Sequence, residues 1–164
     1  MLVKALGDAE KGDEYIAKAN DMAQSWLKRS DAGDHTWLTF DGIGWSMKYN
    51  MVWDKLFKLN MLPDEFYAKE NAWYIKSMNK YGLPLDSRSS YTKSDWFMWV
   101  GAMAPAEDFC KYAAPLARFI KESPSRVAFS DWYDTKSGTY QAFIARSVQG
   151  GVFMPLLMQK WNEK

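Results

Sequence analysis

The chain is organised around the stretch Tyr81-Gly-Leu-Pro-Leu-Asp-Ser-Arg-Ser-Ser-Tyr-Thr-Lys-Ser-Asp-Trp96. It combines acidic, basic, hydroxyl and aromatic side chains in a loop between two segments of helical periodicity. A second stretch, residues 124–134, has the same character, and both contain Ser-Asp-Trp, at 94–96 and 130–132. Binding and catalytic residues are often carried by loops that a rigid scaffold holds in place. We therefore predict that the functional residues lie in these two loops.

Outside the loops, apolar residues recur at three- and four-residue spacing, which indicates amphipathic helices. The predicted helices cover residues 13–30, 46–59, 63–82, 94–104, 105–122 and 140–161. Asp13 is the expected N-cap of the first helix, Pro63 begins the third, and Pro115 either breaks the fifth or begins another. Alternation typical of strands is limited to a few residues near Thr36 and Val127. The predicted class is all-α, with antiparallel helical hairpins and long loops on one side.

The composition restricts the partners that we expect. The 164 residues suffice for a single helical domain with a core, and 21 basic against 20 acidic side chains give a net charge of +1. This balance predicts neither nucleic acid nor an anionic membrane as a partner. No apolar run approaches the roughly 20 residues of a membrane span, and the N-terminus is too quickly polar for a signal peptide. The sequence alone leaves the localisation of this chain unknown.

Cysteine and histidine each occur once. An internal disulfide is therefore excluded, a His/Cys zinc site is not expected, and we predict neither a metal nor a cofactor. His35 is predicted to be a surface or hydrogen-bonded residue rather than a general base. Cys110 is predicted to be a small buried apolar residue on a helix face.

The charged groups and tryptophans of the two loops are the candidate site residues. They are Asp86, Arg88, Lys93, Asp95, Trp96, Arg126, Asp131, Trp132 and Asp134. Two carboxylates on either side of a bond can divide acid and base roles, as in glycoside hydrolysis. A structural alternative is open for each acid. Thr92-x-x-Asp95 resembles a capping box, and Asp131 and Asp134 could form turns and pair with Arg126.

Ser90-x-x-Lys93 matches a pattern found in serine acyl-enzymes, in which the lysine serves as the base for the hydroxyl. Such a short pattern is easily matched by chance in a loop rich in serine and lysine. We keep it as a weaker hypothesis.

Six longer blocks, in order along the chain, resemble one family. They are Lys48-Tyr-Asn-Met-Val-Trp-Asp-Lys-Leu-Phe57, Tyr81-Gly-Leu-Pro-Leu-Asp-Ser-Arg88, Tyr91-Thr-Lys-Ser-Asp-Trp96, Pro124-Ser-Arg126, Ser130-Asp-Trp-Tyr-Asp-Thr135 and Ala145-Arg-Ser-Val-x-Gly-Gly-Val-Phe153. Together they look like the C-terminal domain of the fungal-type glutaminase A family. That domain is similar to the six-hairpin (α/α)6 toroid of many glycoside hydrolases.

The resemblance implies part of a toroid. A complete toroid has two helices in each hairpin, and the pattern here supplies about half of them, so we predict that residues 1–164 form its C-terminal half. The family's N-terminal β-rich region has no counterpart in the sequence. Pro155 is a departure, because it falls in a final helix where the family pattern has no proline.

The family implies hydrolysis of the side-chain amide of L-glutamine by an extracellular or periplasmic enzyme, with a small-molecule substrate. On that resemblance the charged loop residues line the substrate funnel. Arg88 or Arg126 would hold the substrate carboxylate, and Asp95 or Asp131 would activate water. Two alternatives stay open. One is a piece of a carbohydrate-active toroid with a carboxylate pair, and the other is an inactive chain that self-associates through uncovered helix faces.

Overall fold

The computed structural model describes residues 2–163, and most of them lie in helices. The elements are α1 (Leu2–Ala5), α2 (Ala9–Ser30), α3 (Val52–Phe57), α4 (Asp64–Lys76), β1 (Tyr91–Lys93), α5 (Ser94–Met103), α6 (Phe109–Glu122), β2 (Trp132–Asp134) and α7 (Met154–Asn162). Three 3₁₀ segments, Tyr49–Met51, Ala106–Asp108 and Ser147–Phe153, lie between them. The predicted all-α class is confirmed.

Helix α5 is the centre of the core. Its Phe97 is fully buried and its ring lies 5.7 Å from that of Tyr112 on α6. Gly101 makes this contact possible, because a Cβ at that position would lie only 2.9 Å from the Tyr112 Cβ. Two turns further along the same face of α6, the ring of Phe119 stacks on Tyr133 of β2 at 3.6 Å between centroids. Large buried rings of this kind supply much of the apolar burial that stabilises a fold.

Strands β1 and β2 pair in antiparallel register, with Lys93 opposite Trp132. The pairing continues into α5, whose first residue, Ser94, donates its backbone N–H to the Asp131 carbonyl at 2.8 Å. Both segments were predicted to be loops, because three residues are too few to display an alternating pattern. The two Ser-Asp-Trp stretches therefore lie side by side.

Several predicted helix boundaries were wrong. Helix α2 begins four residues before Asp13, and its cap is Asp8, which accepts from the Lys11 backbone N–H at 3.0 Å. The helix predicted from residue 46 is α-helical only from Val52, since Ser46 lies in extended backbone. The helix after Pro63 ends at residue 76 instead of Gly82.

Both prolines of uncertain effect are accommodated. Pro115 lies inside the continuous helix α6, so it neither breaks that helix nor begins another. The predicted helix over residues 140–161 was wrong, because residues 140–146 are irregular and a 3₁₀ segment follows them. Pro155 lies in the first turn of α7, where a missing N–H costs no hydrogen bond.

Cys110 is exposed, contrary to the buried position that we predicted.

Two helices leave apolar side chains in solvent. Helix α2 packs on α4 through Trp26, whose ring lies 5.7 Å from Phe66, yet Met22 is 72% exposed. Near the other end of the chain, Phe153 and Leu156 are 61% and 58% exposed. The predicted self-association would use such faces, and it stays a prediction.

Candidate functional site

Two clefts lie on either side of the turn that carries Asp86 and Arg88. The first, which we call the strand cleft, has a volume of about 440 Å³ and is bordered by Asp86, Arg88, Tyr91, Lys93, Trp132 and Phe143. The second, the tryptophan cleft, has a volume of about 430 Å³ and is bordered by Trp37, Ser46, Lys48, Asp86, Arg88 and Trp96, among others. Asp86 and Arg88 thus face both clefts. Volumes of this size suit a small molecule.

A cationic cluster reaches the strand cleft through Lys93, which borders it. Asp131 is fully buried, and its Oδ2 accepts from Lys93 Nζ at 3.1 Å and from Arg146 Nη2 at 3.0 Å. Two cations on one carboxylate leave a net charge of +1. The Lys93 ammonium lies 4.4 Å from the Phe143 ring centroid, and the Arg146 guanidinium lies 4.2 Å from it. The cluster therefore presents positive charge against an aromatic surface.

Asp86 and Arg88 form a two-point ion pair in the turn between the clefts. Arg88 donates from Nε at 2.9 Å and from Nη2 at 2.8 Å, and these bonds hold the pKa of the Asp86 carboxyl below its usual range. The Arg88 side chain is 74% exposed, and two of the five guanidinium N–H groups are engaged with Asp86. The remaining N–H groups can bind an anion.

Asp95 lies apart from both clefts. It is 5% exposed, and burial raises the pKa of its carboxyl, with the negative charge of Asp131 acting in the same direction. The predicted capping box is absent, because Lys93 is the N-cap of α5 and no side chain caps that helix. The Thr92 hydroxyl is buried without a hydrogen-bond partner in the described part of the chain.

Asp134 has the structural role that we gave as an alternative. Burial opposes ionisation, but hydrogen bonds from the Ser90 hydroxyl and from Ser137 lower the pKa of the Asp134 carboxyl overall. Since Ser90 bonds Asp134 while Lys93 bonds Asp131, the Ser90-x-x-Lys93 pair is not assembled.

The remaining predicted residues divide between the clefts and the surface. Trp132 borders the strand cleft, and Trp96 borders the tryptophan cleft, where it stacks on Tyr49 at 4.2 Å. Arg126 is exposed and borders neither cleft, and the structure pairs Asp131 with Lys93 and Arg146 in its place. His35 is buried, and its ring stacks on that of Trp73 at 4.0 Å.

Sequence reasoning missed three polar residues of this region. Arg146 lies within the block at residues 145–153, which we used only for the family resemblance. Ser46 and Lys48 border the tryptophan cleft, and their Oγ and Nζ atoms lie 2.8 Å apart. The sequence does contain a Ser-x-Lys spacing at residues 46–48, just after two glycines, but these residues were predicted to begin a helix.

Neither a cluster of metal-binding side chains nor a membrane-spanning helix occurs in the described residues. No group of three or more His, Cys, Asp or Glu side chains among residues 2–163 converges in a way that would hold a metal ion. Across the same residues, no helix has the length and apolarity that a membrane crossing requires.

Comparison with known proteins assigns the family. Residues 1–156 match the glutaminase A six helical-hairpin domain. The chain belongs to this family. It is 34% identical over 166 residues to "Glutaminase A" of Aspergillus oryzae, and this alignment covers 96% of the chain but 24% of the relative. It is 31% identical over 159 residues to "Probable glutaminase/05536" of Arthroderma benhamiae, covering 78% of the chain and 18% of that protein.

The glutaminase A family membership confirms the predicted resemblance and the helical-hairpin class. The chain spans about a quarter of the length of the Aspergillus oryzae relative and less of the other. No solved structure matches the chain. The prediction that residues 1–164 are the C-terminal half of a toroid stays a prediction.

Proposed function

We propose that this chain supplies the substrate-binding clefts of a glutaminase-like amidohydrolase, which converts L-glutamine and water into L-glutamate and ammonia. The observation that carries the proposal is the concentration of positive charge around the strand cleft in a chain of the glutaminase A family. Because the chain spans about a quarter of the length of one relative and less of the other, we expect the isolated chain to be inactive.

Arg88 holds the substrate carboxylate in this proposal. It borders both clefts and has N–H groups that Asp86 does not use, whereas Arg126 borders neither. A guanidinium suits the planar geometry of a carboxylate. Lys93 and Arg146 add positive potential nearby, and Asp86 offers an acceptor for the substrate's ammonium group.

The two acids that we predicted to be catalytic have different proposed roles. Asp131 is fully buried and bound to two cations, so it positions Lys93 and Arg146 instead of touching the substrate. Burial raises the pKa of the Asp95 carboxyl above its usual range, and perturbed carboxyl groups of this kind are common at functional sites. Its place outside the clefts means that it would act through a bound water.

A carbohydrate-active enzyme is the alternative. It requires two carboxylates that face one substrate. In the described part of the chain, Asp86 is the carboxylate that borders the strand cleft, and it is also the one that borders the tryptophan cleft. The aromatic walls would suit a sugar, but this arrangement supplies no carboxylate pair and so favours amide hydrolysis.

The test compares ammonia release from L-glutamine by two proteins. One is this chain, and the other is a hybrid of the Aspergillus oryzae relative in which this chain replaces the 166-residue matched segment. We expect release from the folded hybrid, a fall in that release on Arg88→Met at low L-glutamine concentrations, and none from the chain alone. D-Glutamine and the unmodified relative are the controls. A folded hybrid that releases no ammonia, or that cleaves an oligosaccharide instead, would overturn the proposal.

A further inference from the structure

A serine and a lysine are in contact in the tryptophan cleft. Ser46 Oγ lies 2.8 Å from Lys48 Nζ, and both residues are half-buried and border the cleft. Ser46 lies in extended backbone bridged to Asp86, and Lys48 directly precedes the 3₁₀ segment Tyr49–Met51. The bridge places the serine beside the Asp86–Arg88 turn, which carries the proposed carboxylate-binding group.

Burial favours the neutral form of Lys48, and the groups around its Nζ can accept hydrogen bonds from either form. Its Nζ donates to the carbonyls of Ser46 at 3.0 Å and Trp37 at 3.3 Å, with the Thr36 carbonyl at 3.5 Å. A neutral amine has two N–H donors and one lone pair. The two nearer carbonyls accept the two N–H groups, and the lone pair is then free to accept the Ser46 hydroxyl proton.

The charges around Lys48 are few. Burial lowers the pKa of Lys48 to about 8, against the opposing effect of the negative charges of Glu70 and Asp86. Asp86 is itself paired with Arg88, and the Tyr74 hydroxyl accepts from the Lys48 backbone N–H at 2.9 Å. A lysine titrating near pH 8 is partly neutral under mild conditions, as a general base must be.

We propose that Ser46 and Lys48 form a nucleophile–base pair that cleaves the substrate amide through an acyl-enzyme. The proposal rests on the proposed function for the identity of the amide, and it adds the groups that carry out the reaction. The serine and the lysine are brought together by the irregular segment between α2 and the first 3₁₀ segment.

The steps balance without any further reagent. Lys48 Nζ takes the Ser46 proton as Oγ attacks the amide carbon, so that an Oγ–C bond forms and the C=O electron pair moves to oxygen. As the C=O bond re-forms, the C–N bond breaks, and Lys48 gives its proton to the departing nitrogen, which leaves as ammonia. Water then attacks the ester carbon and loses a proton to Lys48. That proton passes to Ser46 Oγ as the ester bond breaks, which restores the free hydroxyl.

The competing interpretation is structural, since Lys48 also ties together the carbonyls of the segment at residues 36–46. Lys48→Arg separates the two. Arginine keeps the positive charge and N–H donors, but its pKa above about 12 prevents it from acting as a base. A structural role would survive this change in large part, whereas a catalytic role would not.

The experiment treats the folded hybrid with a fluorophosphonate, which reacts with nucleophilic serines, and maps the label by mass spectrometry. We expect the label at Ser46, with a rate that rises with pH to a midpoint near the Lys48 pKa of about 8. Ser46→Ala should remove the label, and Lys48→Arg should slow labelling by at least about 100-fold. Ser77→Ala, a half-buried serine that borders neither cleft, should react as the parent does.

The outcomes separate the two proposals. Labelling at Ser46 without ammonia release from L-glutamine would support the pair and reject glutamine as the substrate. Ammonia release that persists in Ser46→Ala would keep the proposed function and overturn the pair. A folded Lys48→Arg variant that is labelled at the parent rate would also overturn it.

Discussion

Replacing Asp131 by asparagine should destabilise the fold far more than its small size change suggests. The carboxylate is fully buried and accepts from both Lys93 and Arg146. Asparagine has nearly the same volume but no charge, and its amide NH2 group donates hydrogen bonds where a carboxylate oxygen accepts them. The Lys93 side chain is only 12% exposed, and its ammonium would then face a neutral amide.

The size of the effect follows from the burial of each partner. Removing one member of a buried ion pair costs about 3–5 kcal/mol, because the other charge is left without compensation. Arg146 is 40% exposed, so water screens its charge and its contact with Asp131 contributes little. We therefore expect the low end of the range, about 3 kcal/mol. For a chain of this length that corresponds to a fall of roughly 6–12 °C in Tm.

The assay is thermal and urea unfolding followed by circular dichroism. The double variant Asp131→Asn/Lys93→Met should recover more than half of the loss, because it removes the unpaired charge and leaves an apolar side chain against the aromatic rings. Asp64→Asn is the control. The Asp64 side chain is 92% exposed and pairs with Lys55 at 2.6 Å, so its change should lower the stability far less than Asp131→Asn does. An unchanged unfolding midpoint for Asp131→Asn would refute the reasoning. So would a double variant whose loss of stability equals the sum of the losses in Asp131→Asn and Lys93→Met.

Three other variants test separate parts of the site. Burial raises the pKa of Asp95, so the stability present below its ordinary pKa of about 4 is lost as pH rises through the raised value. Asp95→Asn should therefore raise Tm at neutral pH but not at about pH 3. An equal change in Tm at both pH values would contradict the raised pKa. The same variant should lower the activity of the hybrid. Gly151→Ala should lower the free energy of unfolding in urea by about 1–3 kcal/mol, because the added Cβ would lie 2.7 Å from the Asp95 Cβ. Gly150→Ala is the control, since its Cβ would meet nothing within 4 Å, and it should leave the stability unchanged. Arg88→Met should raise the hybrid's KM for L-glutamine by about 10–100-fold, because the substrate loses a hydrogen bond to a charged group. If Arg126→Met caused this rise and Arg88→Met did not, Arg126 would be the residue that binds the carboxylate.

The helices were predictable where their own residues determine them. The run at residues 94–104 is apolar on nearly every position, and it forms the buried helix α5, which ends at Met103. The run at residues 140–161 is also rich in apolar residues, but its two glycines disfavour an α-helix and a 3₁₀ segment forms there. Pro155 then begins a new helix. Periodicity identified apolar faces, whereas glycine and proline decided where the helices begin and end.

The site was predictable only as a region. The two Ser-Asp-Trp stretches were singled out because charge and aromatic rings are concentrated there, and the tryptophan of each borders a cleft. What sequence could not supply was the pairing of Lys93 with Asp131, which depends on the strand register. Arg146 joins them from a segment that the helix prediction had placed elsewhere.

The placement of charge argues for a division of labour within the site. Asp131 is buried in a way that keeps two cations in place but prevents contact with a substrate, so its proposed contribution is electrostatic. Ser46 and Lys48 border a cleft that a small molecule can enter, and the Ser46–Asp86 bridge ties them to the same turn as Arg88. Because that turn borders both clefts, a substrate held there can have its charged end on the strand side and its amide on the tryptophan side. The irregular segment before the first 3₁₀ segment would then supply the reactive groups, and the Ser-Asp-Trp strands the charge that orients the substrate.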